Sequence, residues 1–552
     1  MRNWGLGAVY GIVLLVASLA LFVPGRALIP PIDRDESRYM EATAQMLETR
    51  DFVDVRFQDQ PRYLQPAGIY WLEAAAVTLA GEEGSRAPWA YRLPSLVGGV
   101  AAVLLTGLIG LMLFGANAGL LAGLLLAASV LLSVEARMAT IDATLLAVVL
   151  TAQAALARVY LRRDAPAPAS KPLAAVYWAT LGVGLMLKGP VVLLVSWGTI
   201  LALAISERRG SWLKRLYPAW GVPLMLAIVL PWFIAIWVVS DGLFFQNSVG
   251  HNFLGKVATG QQAHGLPPGY YLGVFSAAFW PGSIFAVLAL PFVWFERRRP
   301  EVRFLLCWIL PTWLVFELVA TKLPHYVLPT YPAVACLAAA AALTPGAWRT
   351  GRAWFWISRV YGAIWFAIAA ALALAGPVLL AVLERRYDVL PILAALAIMV
   401  LAAGALRFVW QQRVWPAAGT AAVAAMVLYG SIYGLVLPNL TTIWLSPRIA
   451  EAVQRVRPCP DSVLASASFS EPSLVFLVGE HTKLVNPEQA ADHLAADKAC
   501  NLALIGARDV DAFTARLAAD GLKPVAKATV SGVNYSTGRR LDLTLFQAEA
   551  AS

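Results

Sequence analysis

Asp33-Arg34-Asp35-Glu36-Ser37-Arg38-Tyr39 stands just after the first apolar run of the chain, Trp4 to Val23. A run long enough to cross a bilayer, followed at once by a dense cluster of charges, reads as a membrane helix that delivers a polar loop to one surface. Arg2 precedes the run and no small-residue cleavage site follows it, so it reads as an uncleaved first span and not as a signal peptide. Further apolar runs lie at 90–113, 117–134, 143–160, 172–188, 190–206, 218–239, 270–295, 303–320, 326–343, 357–383, 388–407 and 415–437. Together they predict a multi-span α-helical membrane protein of about 13 transmembrane helices. Composition agrees: 59 % of the 552 residues are hydrophobic and 14 % charged, whereas soluble domains run near ~25 % charged. A cytosolic protein and a disordered one are both excluded.

The net charge of +10 would, in a soluble protein, raise nucleic acid as a partner. Its distribution gives a different reason. Arg158, Arg162, Arg163 and Lys171 share one loop; Arg208, Arg209, Lys214 and Arg215 fall in the second loop after it; Arg297, Arg298, Arg299 and Arg303 fall two loops later. Arg349, Arg352 and Arg359, then Arg407 and Arg413, continue the alternation. Every second loop is basic, as cytoplasmic loops are. The expectation is a cytoplasmic N-terminus, no nucleic-acid partner, and an outward-facing set comprising residues 26–88, the 135–142 turn, the stretch at Lys188, residues 241–268, the Thr321–Tyr326 turn and Glu384–Asp388. An odd span count also places residues 438–552 outside. This divides the chain into a membrane part, 1–437, and a tail, 438–552. The tail alternates helix-like stretches (447–456, 487–496, 510–519) with strand-like ones (462–465, 502–505, 524–530, 541–546), which suggests a small extracytoplasmic α/β domain. Of the four cysteines, Cys307 and Cys336 lie in apolar runs as packing residues, and no Cys-x-x-Cys spacing marks a zinc site. Cys459 and Cys500 lie in the tail, where an oxidising compartment permits a disulfide.

The outward side concentrates the polar residues. The first loop is about 60 residues long, and loops of that length are usually functional. After its acidic opening comes a helix-like stretch with Met40, Ala44 and Leu47 on one face, then Pro61-Arg62-Tyr63-Leu64-Gln65-Pro66, then an apolar run, 67–80, too short to span and suited to a helix lying in the interface. Asp33, Asp35 and Glu36 either cap that first helix or serve chemistry. Asp142, after Arg137-Met138-Ala139-Thr140-Ile141, is either an N-cap or an ionisable group at membrane depth, which is a functional candidate. Lys188, before Gly189-Pro190, and Lys322, in Lys322-Leu323-Pro324-His325-Tyr326, either snorkel or face the acids. Opposed acids and bases around an apolar cavity fit a lipid phosphate held by cations near a carboxylate. Residues 241–268 carry His251 and His264, two of only five histidines. With Glu82 and Glu83 on the same side, His264 is a candidate ligand of a divalent metal such as zinc.

These residues resemble the membrane glycosyltransferases of the GT-C fold, and within them the aminoarabinose (4-amino-4-deoxy-L-arabinose) lipid A transferases, relatives of the protein O-mannosyltransferases. Asp35-Glu36-Ser37-Arg38-Tyr39 matches the family's Asp-Glu-x-Arg-Tyr after the first span. Arg62-Tyr63-Leu64-Gln65-Pro66 is similar to its Arg-Tyr-(x)-Lys-Pro element, with Gln65 where lysine is usual. Asp142 falls at its second functional aspartate, Lys188-Gly189 at its Lys-Gly, and Lys322-Leu323-Pro324-His325-Tyr326 at its Lys-Leu-Pro-x-Tyr. His264 matches a family histidine, but Gly265 replaces the arginine that follows.

The resemblance implies an inner-membrane enzyme, with no certain cofactor, that transfers the sugar from an undecaprenyl phosphate carrier to a lipid A phosphate at the periplasmic face. It implies Asp35 as the catalytic carboxylate, supported by Asp142 and Glu36. Tyr39, Arg62, Tyr63, Arg137, Lys188, Lys322 and Tyr326 are then the lipid-phosphate and substrate contacts. Nothing points to a partner protein, so a monomer among membrane lipids is expected. No Gly-x-x-x-x-Gly-Lys-Ser/Thr motif is present, in keeping with a preactivated lipid-linked donor. Two alternatives share the spans and the cationic cavity: another polyprenyl-phosphate transferase, polymerase or ligase with a protein or glycan acceptor, and a lipid-linked sugar flippase without chemistry.

Overall fold

The computed structural model describes residues 2–166, 170–248, 250, 266–347 and 351–550. The first apolar run is α1 (Arg2–Phe22). The first loop folds as α2 (Asp35–Thr49), a short hairpin of β1 (Arg56–Phe57) and β2 (Gln60–Pro61), α3 (Gly68–Leu79) and one turn, α4 (Pro88–Tyr91). The bundle continues through α5 (Leu93–Phe114), α6 (Ala116–Ala127), α7 (Val130–Glu135), α8 (Asp142–Leu161), α9 (Lys171–Lys188), α10 (Val191–Glu207), α11 (Pro218–Val239) and α12 (Leu243–Phe245). It is completed by α13 (Tyr270–Ala278), α14 (Ser283–Leu288), α15 (Leu290–Glu296), α16 (Pro300–Leu318), α17 (Tyr331–Leu343), α18 (Arg352–Leu379), α19 (Val389–Trp410) and α20 (Val414–Tyr429).

Among the described residues seven helices are long and apolar enough to cross a membrane, and four shorter apolar helices accompany them. The apolar runs were located by their composition, but several are not single rods. The run at 117–134 breaks where Ser129 takes an extended conformation between α6 and α7. The run at 270–295 becomes three short helices, interrupted at Trp280-Pro281 and at Leu290-Pro291, where proline lacks the N–H a continuous helix needs.

Helix packing is close where small residues allow it. A Cβ on Gly98 would meet the Thr144 backbone at 2.6 Å, so α5 lies directly on the start of α8. A Cβ on Gly68 would meet the Met186 carbonyl oxygen at 2.5 Å, so α3 begins against the end of α9. These contacts bring the first loop, the start of α8 and the end of α9 to one end of the bundle.

After the bundle come α21 (Leu445–Val456), β3 (Leu464–Ser466), α22 (Pro472–Val478), β4 (Lys483–Leu484), α23 (Pro487–Ala496), β5 (Leu502–Gly506), α24 (Val510–Ala519), β6 (Leu522–Asn534) and β7 (Arg539–Ala550). The strands form one sheet in the order β4-β3-β5-β7-β6. β3 pairs parallel with β4 and β5, while β7 is antiparallel to both β5 and β6. Leu-Ala-Leu-Ile-Gly of β5 is buried throughout, as a strand covered on both faces must be. Cys459 and Cys500 form a disulfide, with Cα atoms 5.3 Å apart.

This sheet sits on the first loop. Phe476 of α22 packs edge-on against Tyr91 at 5.3 Å, in a cluster with Met40, Ala44 and Leu47 of α2 and with Ala74 and Val77 of α3. The predicted apolar face of α2 is therefore its buried face. Arg86 donates to the Phe476 carbonyl (2.9 Å) while pairing with Glu41 (2.6 Å) and Glu48 (2.8 Å). The Gln58 amide donates to the Glu480 carbonyl (2.8 Å) and the Thr482 carbonyl (2.5 Å).

Candidate active site

A cavity of about 540 Å³ opens between the start of α2, the hairpin, the α7–α8 turn, the end of α9 and the 3₁₀ turn Pro324–Thr330. Asp35 is the first residue of α2 and lines this cavity. It is exposed, and its carboxylate makes no hydrogen bond or ion pair among the described residues. The turn before it is unusual: Arg34 holds φ = 70°, a left-handed conformation that costs a non-glycine residue of order 1 kcal/mol or more. The sheet clamps that turn. The Tyr535 hydroxyl accepts from the Asp33 N–H at 2.6 Å, the Arg34 guanidinium donates to the Ser536 carbonyl at 2.8 Å, and the Asp33 carboxylate accepts from the Ser473 N–H at 3.2 Å. Burial pushes the Asp33 carboxyl up to about 6.

Two guanidiniums line the same cavity, Arg38 and Arg62. Arg62 lies over the Tyr39 ring at 5.0 Å and donates to the Tyr70 hydroxyl at 2.9 Å, which fixes its plane. Burial and the like charge of Arg62 both lower the pKa of Arg38. Two cations that repel across a cavity are relieved by an anion between them. Arg38 is one turn along from Asp35 on α2, so one helix presents both signs of charge. Tyr39 donates to the Gln65 side-chain oxygen Oε1 at 2.7 Å, and Tyr63 donates to Asp54 at 2.7 Å.

The opposite wall holds a compact charged group. α8 starts at Asp142 and the neighbouring α9 ends at Lys188, so both termini reach the same end of the bundle. Lys188 Nζ donates to Asp142 Oδ1 at 2.6 Å. His325 lies with Nε2 3.8 Å from Asp142 Oδ2 and Nδ1 3.5 Å from Glu135 Oε1. Thr140 donates to the other Glu135 oxygen at 3.1 Å. The Lys188 ammonium also sits 5.7 Å from the Tyr326 ring centre. Glu135, Asp142 and His325 offer three ligand atoms within 4.8 Å of one another, a set compatible with a divalent cation.

Several expected site residues stand elsewhere, each for a physical reason. Glu36 is fully buried and does not line the cavity: Arg92 donates to both its oxygens at 2.8 and 3.0 Å, and the backbone N–H groups of Ala139 and Ile32 each donate at 2.8 Å. It is an internal clamp between α2, α5 and the α7–α8 turn, with every acceptor site used. Lys322 is buried and its ammonium donates to the Val319 carbonyl at 2.6 Å, capping the end of α16 in the way a cation favours a helix C-terminus. Arg137 is turned away from the cavity: it donates to the Ser133 carbonyl at 2.8 Å and to the Leu21 carbonyl, and lies over the Tyr433 ring at 4.2 Å. The expected metal set is not assembled either. Glu83 accepts from Thr78 at 2.5 Å and pairs with Arg50 at 3.1 Å, Glu82 accepts from Ser85, neither lines the cavity, and His264 lies outside the described residues.

Three ionisable residues of the cavity were not among the candidates read from the sequence: Arg38, Glu135 and His325. Arg38 was visible inside the first-loop motif. Glu135 ends a short helix that reads as part of an apolar span, and His325 fills a variable position of its turn, so neither carried a spacing signal of its own.

Residues 9–240 match the family described as dolichyl-phosphate-mannose-protein mannosyltransferase. The undecaprenyl phosphate-alpha-4-amino-4-deoxy-L-arabinose arabinosyl transferase of Aeromonas salmonicida is 28 % identical over 349 residues, 62 % of either chain. That of Serratia proteamaculans is 29 % identical over 330 residues, 58 % of this chain and 57 % of its own. The chain thus spans less than two thirds of the length of the curated relatives it matches. Among solved structures, ArnT from Cupriavidus metallidurans bound to undecaprenyl phosphate superposes with a TM-score of 0.75 at 21 % identity, covering 98 % of each chain. The oligosaccharyltransferase AglB from Archaeoglobus fulgidus superposes with a TM-score of 0.51 at 12 % identity, covering 94 % of this chain and 71 % of that one.

The fold is therefore of the class that these solved structures share, a multi-span helical bundle. Within the class, the similarity over nearly the full length is to ArnT, and this chain is ArnT-like in fold.

Proposed function

We propose that this protein transfers 4-amino-4-deoxy-L-arabinose from undecaprenyl phosphate to a phosphate of lipid A, at the periplasmic face of the bacterial inner membrane. The observation that carries the reading is the cavity itself: an unpaired carboxylate, Asp35, and two guanidiniums, Arg38 and Arg62, face a half-buried Asp142–Lys188 pair at one end of a membrane bundle. In this reading about 13 spans, several of them broken, place the N-terminus in the cytoplasm. Residues 1–437 are then the transferase part and 438–552 a periplasmic α/β domain.

An oxygen of the acceptor phosphate attacks the anomeric carbon of the sugar. The bond from that carbon to the carrier phosphate oxygen breaks, and its electron pair leaves on undecaprenyl phosphate. Arg38 and Arg62 stabilise the charge that develops there; preorganised cations of this kind are usually the largest catalytic term. They take the part expected of Arg137 and Lys322, and they stand where Gln65 leaves no cation. A phosphate acceptor is already ionised near neutral pH, so Asp35 has no proton to remove. It pairs with the sugar ammonium and stabilises positive charge on the ring as the old bond breaks. For a hydroxyl acceptor Asp35 would instead be the general base, worth ~10²–10⁴-fold.

Lys188 orients Asp142 and neutralises it. Glu135, Asp142 and His325 fit a divalent cation in number and type of donor; bound there, it would supply a Lewis acid beside the leaving phosphate. Lipid mass spectrometry of a deletion strain tests the reading. Lipid A without its aminoarabinose supports it, while accumulated inward-facing carrier would indicate a flippase and shortened glycans a polymerase or ligase.

A further inference from the structure

A second cavity, of about 700 Å³, lies on the other side of the β1–β2 hairpin from the first. Its walls are the end of α2 (Gln45, Thr49), the hairpin (Gln58, Asp59, Gln60) and the segment leading into edge strand β4 (Glu480, Thr482). Gln60 lines both cavities, so only the hairpin separates the second from the reaction site.

The lining defines the ligand class. Amides, carboxylates and hydroxyls dominate it, as in sites that hydrogen-bond vicinal hydroxyls. Its two basic residues, Lys483 and His481, stand beside two carboxylates, Asp59 and Glu480, in place of the paired guanidiniums of the first cavity, so its charge does not single out a phosphate. The three apolar residues that line it, Val463, Leu484 and Val485, are each only half-buried, which gives an acyl chain no continuous wall. The Gln58 amide already occupies the Glu480 and Thr482 carbonyls, so the backbone leading into β4 is held by the hairpin. One group is left waiting: Thr482 is 2 % exposed, and its Oγ1 has no hydrogen-bond partner among the described residues. A buried hydroxyl with no partner is destabilising, and a ligand hydroxyl would remove that cost.

We propose that this cavity is a carbohydrate subsite, which holds the sugar chain of the acceptor while its reacting group lies beyond the hairpin in the first cavity. The proposal rests on the transferase reading for its role in turnover, but not for binding itself. Two variants of the full-length protein test it, Thr482→Val and Asp59→Ala. Neither residue lines the reaction cavity, and Thr482→Val removes only an unpartnered hydroxyl. For an acceptor carrying its sugar chain, each variant should raise KM several-fold, up to about tenfold. The kcat and the KM for an acceptor trimmed to its lipid-linked base should not change, and the thermal stability should not fall. Calorimetric titration with lipid-free core oligosaccharide should show binding to the wild type that both variants weaken.

Normal transfer with no oligosaccharide binding and no change in either KM would overturn the subsite and leave the function standing. A loss that is equal for long and trimmed acceptors would also overturn it. Oligosaccharide binding weakened by the variants, in a protein that transfers no sugar, would keep the subsite and overturn the function.

Discussion

Replacing Glu36 with alanine should destabilise the protein as a whole instead of only stopping its chemistry. Glu36 is the anion of a fully buried pair: Arg92 is 1 % exposed and donates to both its oxygens, and it also donates to the Ile29 carbonyl at 2.7 Å and the Arg26 carbonyl at 2.8 Å. Removing Glu36 strands a buried guanidinium and orphans the Ala139 and Ile32 N–H groups. Breaking one side of a buried ion pair costs about 3–5 kcal/mol, and each unpartnered N–H adds about 1–3 kcal/mol. The sum rivals the whole stability of many proteins. Glu36→Ala should therefore yield little folded protein, and what is purified should unfold many degrees lower by tryptophan fluorescence. Glu36→Ala combined with Arg92→Met removes the stranded charge, so the double variant should recover part of the loss. Glu36→Ala with wild-type melting and no transfer would refute this reasoning and return Glu36 to the chemistry. So would a double variant worse than the sum of the two singles.

Further outcomes follow from other contacts. Glu73 is fully buried, accepts from Thr43 at 2.8 Å, and is pushed up to about 8 by burial. An acid with a higher pKa folded than unfolded binds more protons when folded, so its contribution to stability falls as pH rises from about 4.5 to about 8. Glu73→Gln mimics the protonated form and should flatten that decline, read as a higher melting temperature at pH 8–9 and none at pH 5. Tyr535→Phe removes the hydroxyl that holds the Asp33 N–H, a bond worth about 0.5–1.5 kcal/mol. The turn before Asp35 then loosens, and kcat should drop a few-fold with folding intact. Lys188→Met leaves the half-buried Asp142 carboxylate with His325 as its remaining partner, and should lower both melting temperature and transfer; Asp142→Asn combined with it should restore stability but not activity.

Much of this arrangement was legible before any coordinates. Apolar runs locate helices because the bilayer requires about 20 apolar residues per span. Asp35, Asp142 and Lys188 stood out because ionisable groups at the ends of such runs are rare. The same logic failed at Lys322 and Arg137. A position at the end of a span says which side a residue is on, but not whether its charge points into a cavity or back onto the carbonyls of a helix it follows. For Glu36, adjacency to Asp35 hid a difference of about 100° around the helix, which turns one carboxylate to the cavity and the other into the interior. Its partner Arg92 lies 56 positions away, a pairing no local pattern announces. The clamp of the sheet on the Arg34 turn, 502 positions apart in sequence, was equally invisible.

The most direct measurement is reconstitution of the purified protein with undecaprenyl phosphate-aminoarabinose and lipid A, read by mass spectrometry of the lipid A. The wild type should add one aminopentose to lipid A, and Asp35→Asn, equally folded, should add almost none. Full transfer by Asp35→Asn, or no transfer by the wild type from this donor, would contradict the account.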